Sequence, residues 1–526
     1  MNELKRYFFT IISIMIVGLL PLQAQNIKNY NVYTDSLVIN SNQYINGNIY
    51  QKDFLLYIDL LKTTHPEFAP GRFSSINIDS ISKEGYKWIA KCNLTDNLKV
   101  YLQSIASLIN DGHTGVMPNL DKNYIYPFSL FFDENGTYLQ LIDKNYESYL
   151  GKKIIKINHQ PIEKIVESFR SQISSDNETS FYDKVKVYMQ FYDPWRYIPY
   201  CMKDSSLIIS FKDTNDIILK PMSSKTINYV SLQTKDSKDL ITIENKKPFS
   251  YSILPEESIC YLQFNKCTDN SDIRYQLNAR NTKITEEMER ELSQVPRFDT
   301  LVASMFDKMG EENINTLVVD VRNNGGGNSR LCDVLLSYLK PYDEMKSLSS
   351  QIRISNLWEE QFPIMAKEYK DIFEKENKEL EKGRLYGDNE FNFENNDSSF
   401  FNNMEDYFQL NKDKNKIYRG NVVFIQSPKT FSSAGLLIML AVDNNIGKVI
   451  GSKSSYKPCN YGDLLTWELP NTNIQGFISH KIFYRPDTTK CNETSIVPEI
   501  NIQTTIEDML NGNDRCWDWV LEKYSK

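Results

Sequence analysis

Hydrophobic residues recur at helical spacing in two segments near the start of the chain. The first segment ends before His65-Pro66, and the second ends before the turn dipeptide Asp111-Gly112. The repeating positions are Phe54, Leu55, Ile58 and Leu61 in the first segment, and Leu98, Leu102, Ile105 and Ile109 in the second. This spacing predicts a small helical region over residues 25–120, with His113 in the loop that follows the second helix.

The pattern changes between Tyr126 and Tyr200 to short β-prone runs that are joined by turns, such as the one at Glu134-Asn135-Gly136. We therefore predict a small β-rich module over residues 121–230. The next stretch, Ser231 to Lys247, is rich in Ser, Lys, Asp and Asn and has little apolar periodicity. It is typical of a module boundary or an exposed hairpin.

Continuous apolar runs alternate with a helical segment over residues 248–505. The strand-like runs are Ile259–Phe264, Thr316–Val321, Val422–Gln426 and Val449-Ile450, and the segment Leu436–Val442 is helical. This alternation is typical of a buried parallel sheet in an α/β core. We expect an insertion at about residues 340–418, whose polar portion from Glu374 to Lys416 should face solvent, and a C-terminal helix over residues 506–526.

The first residues of the chain have the pattern of a signal peptide. Lys5 and Arg6 precede an apolar run from Tyr7 to Leu20, and Ala24 stands where cleavage would occur. The run is shorter than the ~20 residues that a membrane-spanning helix needs. The pattern predicts that residues 1–24 direct export to the periplasm or the extracellular space and are then removed, without stable membrane insertion of the remaining protein.

Composition narrows the functional classes. At 526 residues, 41% of them hydrophobic and 24% charged, the chain is that of a folded multidomain protein. The formal net charge of -8 argues against nucleic-acid binding, which needs a clustered basic surface. The eight cysteines have no CxxC spacing and no HExxH motif is present, so we expect neither a metal site nor a cofactor. Cys260 and Cys267 are the closest pair, but sequence alone assigns no disulfide.

Two of the predicted strands end in motifs that can carry chemistry. Thr316–Val321 is followed by a loop containing Gly325-Gly326-Gly327, which can turn sharply and present its N–H groups to an anion. The spacing of a phosphate-binding P-loop is absent, and a simple glycine turn is the alternative. The second strand, Val422–Gln426, is followed by Ser432 and Ser433 at the start of a helix. A serine there is either a helix cap or a nucleophile presented at the edge of the sheet.

Four short motifs occur in one order along the chain: DGHT at 111–114, DVRNNGGG at 320–327, TFSSAG at 430–435 and GSKSSYKP at 451–458. In this combination the chain resembles the tail-specific, or C-terminal-processing, serine protease family. That family is related to the tricorn core and to the repeats of interphotoreceptor retinoid-binding protein. The resemblance implies a multidomain α/β plus β protein whose α/β core hydrolyses protein or peptide substrates.

The resemblance also implies roles for individual residues. Ser433, which is followed by Ala434, is the predicted nucleophile rather than Ser432. The backbone N–H groups of Gly326 and Ala434 are the predicted oxyanion hole, the pair of donors that stabilises the negative oxygen of a tetrahedral intermediate.

The family implies two alternatives for the base. In one, a lysine that follows the serine is kept neutral by burial, and Lys457 occupies that position. Tyr456 and Pro458 replace the glycines that usually flank this lysine, and Tyr461 replaces a supporting glutamine, which weakens this assignment.

In the other alternative, a histidine from a distant segment is the base, and His113 is the candidate. We favour His113 over Lys457, because a histidine needs little adjustment to act as a base near neutral pH. The sequence does not identify the group that would orient this imidazole. Asp111 is too near in sequence to be an obvious partner, and Asp487 and Glu499 have the pattern of structural turns.

The middle module contains one further resemblance. Residues 151–165, GKKIIKINHQPIEKI, resemble the end of a PDZ domain, with His159 where glycine is usual. PDZ domains bind peptide C-termini by adding a strand to a sheet edge, so the resemblance implies a module that presents substrate.

Two other functions remain open at this stage. The protein could be a non-catalytic binding protein on the same fold, as the retinoid-binding repeats illustrate. It could also be an esterase or another acyl hydrolase, because the oxyanion machinery is shared among these enzymes. The sequence does not predict an oligomeric state.

Overall fold

The computed structural model describes residues 41–118, 120–232, 247–387, 390–391 and 407–525. The predicted signal peptide, residues 1–24, and most of the predicted boundary stretch lie outside these residues. Within the described ranges, no helix has the length and hydrophobicity that a membrane span requires.

The N-terminal region is helical, as predicted. Its helices are α1 (Asn42–Asn46), α2 (Ile49–Thr64), α3 (Ile78–Ile89) and α4 (Thr95–Leu108). Helix α2 starts with a reciprocal capping box between Asn48 and Gln51 and ends before Pro66, which disfavours helical backbone at the preceding residue. Helix α4 is followed by Asn110 in a left-handed conformation (φ 54°), so His113 lies in a turn, as the dipeptide at 111–112 predicted. Strand β1 (Gly115–Val116) comes next.

The middle module is built around a seven-stranded sheet of order β10-β4-β5-β7-β8, with β3 also paired to β4 and β6 to β5. Its strands are β2 (Tyr124–Ile125), β3 (Phe128–Asp133), β4 (Gly136–Asp143), β5 (Lys153–Ile157), β6 (Gln160–Pro161), β7 (Leu207–Phe211), β8 (Ile217–Leu219), β9 (Met222–Ser223) and β10 (Tyr229–Ser231). Its helices are α5 (Ile162–Ser168), α6 (Glu178–Tyr188) and α7 (Tyr192–Trp195). The sequence therefore predicted the strands but not the three helices that pack with them.

The PDZ-like stretch of this module forms β5, a tight turn, β6 and α5. His159 has a φ of 65°, a left-handed conformation that glycine adopts at lower cost, so the turn explains why glycine is usual at this position. The PDZ-like nature of the module stays a prediction.

The larger domain has a six-stranded sheet of order β11-β12-β13-β16-β17-β20, in which only the edge pair β11–β12 is antiparallel. Its strands are β11 (Phe249–Leu254), β12 (Ile259–Phe264), β13 (Thr316–Asp320), β16 (Asn421–Gln426), β17 (Lys448–Gly451) and β20 (Ile500–Asn501). Helices α8 (Asn270–Ala279), α9 (Glu286–Leu292), α10 (Phe298–Glu311), α11 (Arg330–Leu336) and α14 (Ser433–Asp443) connect or flank them. All residues of β12 and β13 are buried, which explains their continuous apolar sequences and confirms the predicted α/β core.

The C-terminal segment forms two helices, α15 (Ile506–Asn511) and α16 (Arg515–Tyr524), where one was predicted. Gly512 follows the first of them with a φ of 75°. A glycine in this left-handed conformation ends a helix because it lets the chain turn away while its N–H satisfies a terminal carbonyl.

A third, five-stranded sheet joins distant parts of the chain in the order β1-β19-β14-β15, with β18 also paired to β19. Its remaining elements are β14 (Ser349–Arg353), β15 (Leu385–Gly387), β18 (Asn460–Glu468) and β19 (Gln475–Tyr484), with helices α12 (Asn356–Gln361) and α13 (Pro363–Lys375) alongside. The expectation that the segment from Glu374 to Lys416 faces solvent is wrong for part of its described residues. Tyr386 and Phe391 are buried in the same hydrophobic core as helices α2 and α4.

Cys459 and Cys491 form a disulfide, which the sequence analysis did not assign. Cys260 and Cys267, the closest pair in sequence, are both buried free thiols. Cys260 lies inside strand β12 and Cys267 lies beyond the end of that strand. The shortest separation in the chain therefore does not identify the two cysteines that form the disulfide.

A buried ion pair fixes the far end of helix α14. Nε and Nη2 of Arg485, just after β19, lie 3.1 and 2.5 Å from the carboxylate oxygens of Asp443, the last residue of α14. The two side chains are only 2% and 1% exposed. Arg485→Ala would leave a buried carboxylate without its partner, so we expect the free energy of unfolding to fall by about 3–5 kcal/mol.

Urea unfolding monitored by tryptophan fluorescence would test this expectation. Arg384→Ala is the matched control, because Arg384 forms an exposed pair with Glu390 and should contribute about 1 kcal/mol or less. Equal effects of the two substitutions would contradict a structural role for the buried pair.

Candidate active site

The two sequence motifs at strand ends lie side by side. Strands β13 and β16 are parallel neighbours, with Asp320 opposite Ile425, so the loops that follow them leave the sheet at the same edge. The loops are joined directly: the hydroxyl of Ser427 donates to the carbonyl of Arg322 at 2.6 Å, and the N–H of Phe431 donates to the carbonyl of Asn324 at 3.1 Å. This edge is where open α/β sheets bind their ligands.

The glycine loop packs against the start of helix α14 so closely that side chains are excluded. A Cβ atom on Gly326 would lie 2.5 Å from Cβ of Ser432 and 2.9 Å from the backbone nitrogen of Ser433. One on Gly327 would lie 2.1 Å from the carbonyl oxygen of Cys267. Both glycines also have positive φ, 103° and 137°, so Gly326 and Gly327 meet a steric and a conformational requirement here.

Gly326→Ala should therefore destabilise the protein by about 1–3 kcal/mol, through the strained backbone and the contact with Ser432. Gly310→Ala is the matched control: no atom lies within 4 Å of its added Cβ, and Gly310 lies inside helix α10, where alanine is favoured by about 0.5–1 kcal/mol. Chemical denaturation of both variants should give changes of opposite sign. Stabilisation by both alanines would show that the glycine loop does not need this conformation.

Ser433, the predicted nucleophile, is the first residue of α14 and is 4% exposed. Its hydroxyl donates to the carbonyl oxygen of Gly327 at 2.7 Å. The preceding residue, Ser432, has φ 51° and ψ -128°, a conformation that costs a non-glycine residue of order 1–3 kcal/mol. Such strained residues cluster at functional sites, and Ser432 is the last residue of the loop between β16 and α14.

The predicted oxyanion donors both have partners within the protein. The N–H of Gly326 donates to Oδ1 of Asn324 at 2.9 Å, and the N–H of Ala434 donates to the carbonyl of Phe431 at 3.2 Å. An oxyanion would have to replace these acceptors. The Cβ position of Gly326 lies 2.9 Å from the nitrogen of Ser433, and Ala434 is the next residue in the chain; the catalytic role of the two donors stays a prediction.

The loop from the N-terminal region brings His113 to this site. The imidazole ring is stacked on the ring of Phe431, with the ring centroids 4.7 Å apart and the ring planes inclined by 22°. Phe431 lies two residues before Ser433 in the chain. The side of Phe431 is in turn contacted by Tyr456, whose ring lies edge-on at 5.6 Å. His113 is 8% exposed and Phe431 is half-buried, so the imidazole is largely shielded from water.

Asp111 anchors this loop. Its carboxylate accepts hydrogen bonds from the backbone N–H of His113 (2.9 Å), Nε2 of His65 (3.1 Å), and the hydroxyls of Thr114 (2.6 Å) and Ser479 (2.7 Å). Burial alone would raise the pKa of Asp111, but the two adjacent imidazoles hold it well below its usual range. Asp111 thus keeps its negative charge far into the acidic range, and its hydrogen bonds hold the loop in place.

Lys457 lies at the rim of the same loop. Its ammonium group donates to the carbonyl of Asn110 at 2.9 Å in an exposed hydrogen bond. A lysine base needs a desolvated environment, and Lys457 is half-buried, so its role as the alternative base stays a prediction. Within the described residues, the hydroxyl of Ser433 is hydrogen-bonded to neither Lys457 nor His113.

Two residues of the middle module that the sequence analysis missed, the buried Asp176 and the half-buried Lys184, complete the site. Asp176 accepts the N–H of Gly112 at 2.5 Å. The ammonium group of Lys184, on helix α6, donates to the carbonyl of Ser174 at 2.7 Å and lies 5.5 Å from the ring of Phe431. Burial lowers the pKa of Lys184, while nearby aspartates act in the opposite direction.

The other two acidic candidates have different surroundings. Asp487 accepts the backbone N–H and hydroxyl of Thr489, and so caps the short helical turn Thr488–Lys490. Glu499 is exposed.

The sequence and the fold are similar to those of known proteins. Residues 291–502 match the sequence model of peptidase family S41. Comparison with curated proteins gives no match. The fold is similar to that of mature CPAF complexed with lactacystin, with a TM-score of 0.59 and 13% identity over 93% of this chain and 98% of that one. It is equally similar to the crystal structure of mature CPAF, with a TM-score of 0.60 and 12% identity over 93% and 97% of the two chains.

At these identities the structural likeness shows the fold, and the family match adds the sequence pattern of the region that contains the glycine loop and Ser433. The resemblance to the tail-specific serine proteases is thereby confirmed, and the match to peptidase family S41 together with the fold supports a serine peptidase.

Proposed function

We propose that the protein cleaves peptide bonds in protein or peptide substrates through an acyl-enzyme on Ser433, with His113 as the base. One observation carries the proposal: the DGHT loop, from a distant part of the chain, stacks His113 on Phe431 beside the turn that presents Ser433. A buried imidazole, a serine at a helix start and a glycine loop at one sheet edge are the components of acyl transfer.

In the first half of the proposed reaction, the hydroxyl oxygen of Ser433 attacks the carbonyl carbon of the scissile bond while His113 takes the hydroxyl proton. The tetrahedral intermediate then collapses, the C–N bond breaks, and His113 returns the proton to the leaving amine. In the second half, a water molecule attacks the ester by the same route and releases the new carboxylate and the Ser433 hydroxyl.

Substrate binding must break existing hydrogen bonds in the site. The Ser433 hydroxyl has to leave the carbonyl of Gly327, and the N–H of Gly326 has to leave Asn324, before either can act on a substrate carbonyl. Catalytic hydrogen bonds often form only in the substrate complex. Glycine backbone can change its conformation at a low free-energy cost, which permits the N–H of Gly326 to turn away from Asn324.

We also propose that the protein acts outside the cytoplasm. The signal-peptide pattern of residues 1–24 supports this, and so does the disulfide between Cys459 and Cys491, since disulfides persist mainly in the periplasm and the extracellular space.

The function can be tested by incubating the protein from residue 25 onward with casein, with a nitrophenyl ester and with a fluorophosphonate that acylates active serines. We expect casein cleavage and a fluorophosphonate adduct that peptide mapping locates on Ser433. Ester hydrolysis without casein cleavage would instead support an acyl hydrolase of another kind. No hydrolysis and no adduct would contradict the proposal in favour of a binding protein on the same fold.

A further inference from the structure

Two buried polar atoms of the candidate active site have no hydrogen-bond partner among the described residues: Nδ1 of His113 and Oδ2 of Asp176. Their residues are 8% and 3% exposed, so little water reaches them. Unsatisfied polar atoms in a protein interior are costly, and each calls for an explanation. Here one atom can carry a proton and the other can accept it.

The two residues are held next to each other. One imidazole nitrogen of His113 and one carboxylate oxygen from each of Asp111 and Asp176 all lie within 4.8 Å of one another. Asp176 is also fixed to the peptide next to the imidazole, because its Oδ1 accepts the N–H of Gly112 at 2.5 Å. The carboxylate of Asp176 and the imidazole of His113 are therefore neighbours in one buried cluster.

Asp111 is the competing partner for this imidazole, but it is already occupied. Its Oδ1 lies 3.7 Å from Nδ1 of His113, which is longer than a hydrogen bond, and accepts the backbone N–H of that residue instead. Its Oδ2 accepts three other hydrogen bonds. Asp176 is the carboxylate with a vacant oxygen.

A metal ion is the other occupant that such a cluster suggests, and the neighbouring charges disfavour it. The ammonium group of Lys184 lies 3.2 Å from the Cβ position of Gly112, on the peptide that Asp176 binds. A cation already present in the cluster would repel a metal ion, whereas it compensates the second carboxylate when His113 is neutral.

We propose, on the basis of the proposed peptidase function, that Asp176 is the positioning residue for His113. Its vacant oxygen accepts the Nδ1 proton, which directs the unprotonated Nε2 toward Ser433 and stabilises the imidazolium that forms when the serine gives up its proton. The orienting group thus comes from the middle module and not from the protease core.

Asp176→Asn tests the proposal because the amide oxygen can still accept the N–H of Gly112. If Asp176 orients His113, kcat should fall by about 10²–10⁴-fold with little change in KM, since an amide N–H facing Nδ1 favours the wrong tautomer. Asp143→Asn is the matched control: Asp143 is a buried aspartate of the same module that accepts backbone N–H groups of Asn145 and Asn228, and its variant should keep wild-type kcat.

If Asp176→Asn keeps wild-type kcat while Asp176→Ala loses it, Asp176 only anchors Gly112 and the proposal is overturned. The same holds if a chelator abolishes activity and zinc restores it, because the cluster would then be a metal site.

A second measurement does not depend on turnover, so it separates this proposal from the proposed function. The sequence has only four histidines, and nitrogen NMR of histidine-labelled full-length protein can report their tautomers, with His113→Asn identifying the signal. We expect the Nδ1-protonated form of His113 in the wild type and its loss in Asp176→Asn. An Nε2-protonated imidazole in the wild type would refute the positioning role even in an active enzyme, and a wild type without peptidase activity would refute the function alone.

Discussion

Ser433→Ala is expected to lower kcat for casein or peptide cleavage by about 10⁴-fold or more, because the acyl-enzyme cannot form without the nucleophilic oxygen. The fold should be unaffected. The hydroxyl makes a single hydrogen bond, to the carbonyl of Gly327, and the side chain lies at the first position of α14, where alanine is readily accommodated.

The adjacent residue provides a matched control. Ser432→Ala removes the same hydroxyl one position earlier and keeps the strained backbone at φ 51°, which any residue with a Cβ atom shares. We expect near-wild-type activity from this variant. Steady-state kinetics and fluorophosphonate labelling of both variants would decide the matter. Activity that survives in Ser433→Ala but disappears in Ser432→Ala would reassign the nucleophile to Ser432.

The sequence predicted the part of the site that depends on local pattern. The apolar runs of β13 and β16 are continuous because both faces of the sheet are covered, so their strand character and their loops at one sheet edge could be inferred. The position of His113 in a loop followed from the turn that ends α4. The family resemblance then supplied the expectation that these separate motifs meet.

Contacts between distant segments could not be inferred in the same way. Asp176 precedes an ordinary helix of the middle module and belongs to no motif, so only folding reveals that it binds the peptide before His113. Similarly, Tyr386 and Phe391 lie in a strongly polar stretch, yet they are buried, because β15 pairs with β14 in a sheet that also contains strands from the N-terminal region and from the end of the core. The composition of a segment gives its average polarity, whereas burial is decided residue by residue by which side chains contact a hydrophobic core.

The hydrogen bonds of the glycine loop illustrate a further limit. The family resemblance implied that Gly326 belongs to the oxyanion hole, and its Cβ position lies 2.9 Å from the nitrogen of Ser433. The acceptor of its N–H, however, is the side chain of Asn324, two residues earlier in the same motif. The sequence shows where glycine allows the backbone several conformations. It does not show which of these conformations the loop adopts when no substrate is bound.

His113→Asn is the second substitution with a large expected effect, and it decides between the two candidate bases. If His113 takes the proton of Ser433, kcat should fall by about 10⁴-fold or more. Combining it with Ser433→Ala should cost little more than either change alone, because the two groups act as a unit. Lys457→Ala should reduce activity less than about tenfold, since it removes one exposed hydrogen bond, to the carbonyl of Asn110.

His159→Asn is the matched control, because it makes the same substitution at an exposed turn of the middle module where asparagine tolerates the left-handed backbone. Its activity should equal that of the wild type. Peptide-cleavage kinetics at neutral pH, together with unfolding curves for each variant, would separate lost chemistry from lost structure. A large defect in Lys457→Ala with a stable, active His113→Asn would assign the base to Lys457. In that case, the stack of His113 on Phe431 would hold the N-terminal region against the turn at Ser433. The proton of Ser433 would then pass to Lys457, beside Asn110, and not to the buried imidazole.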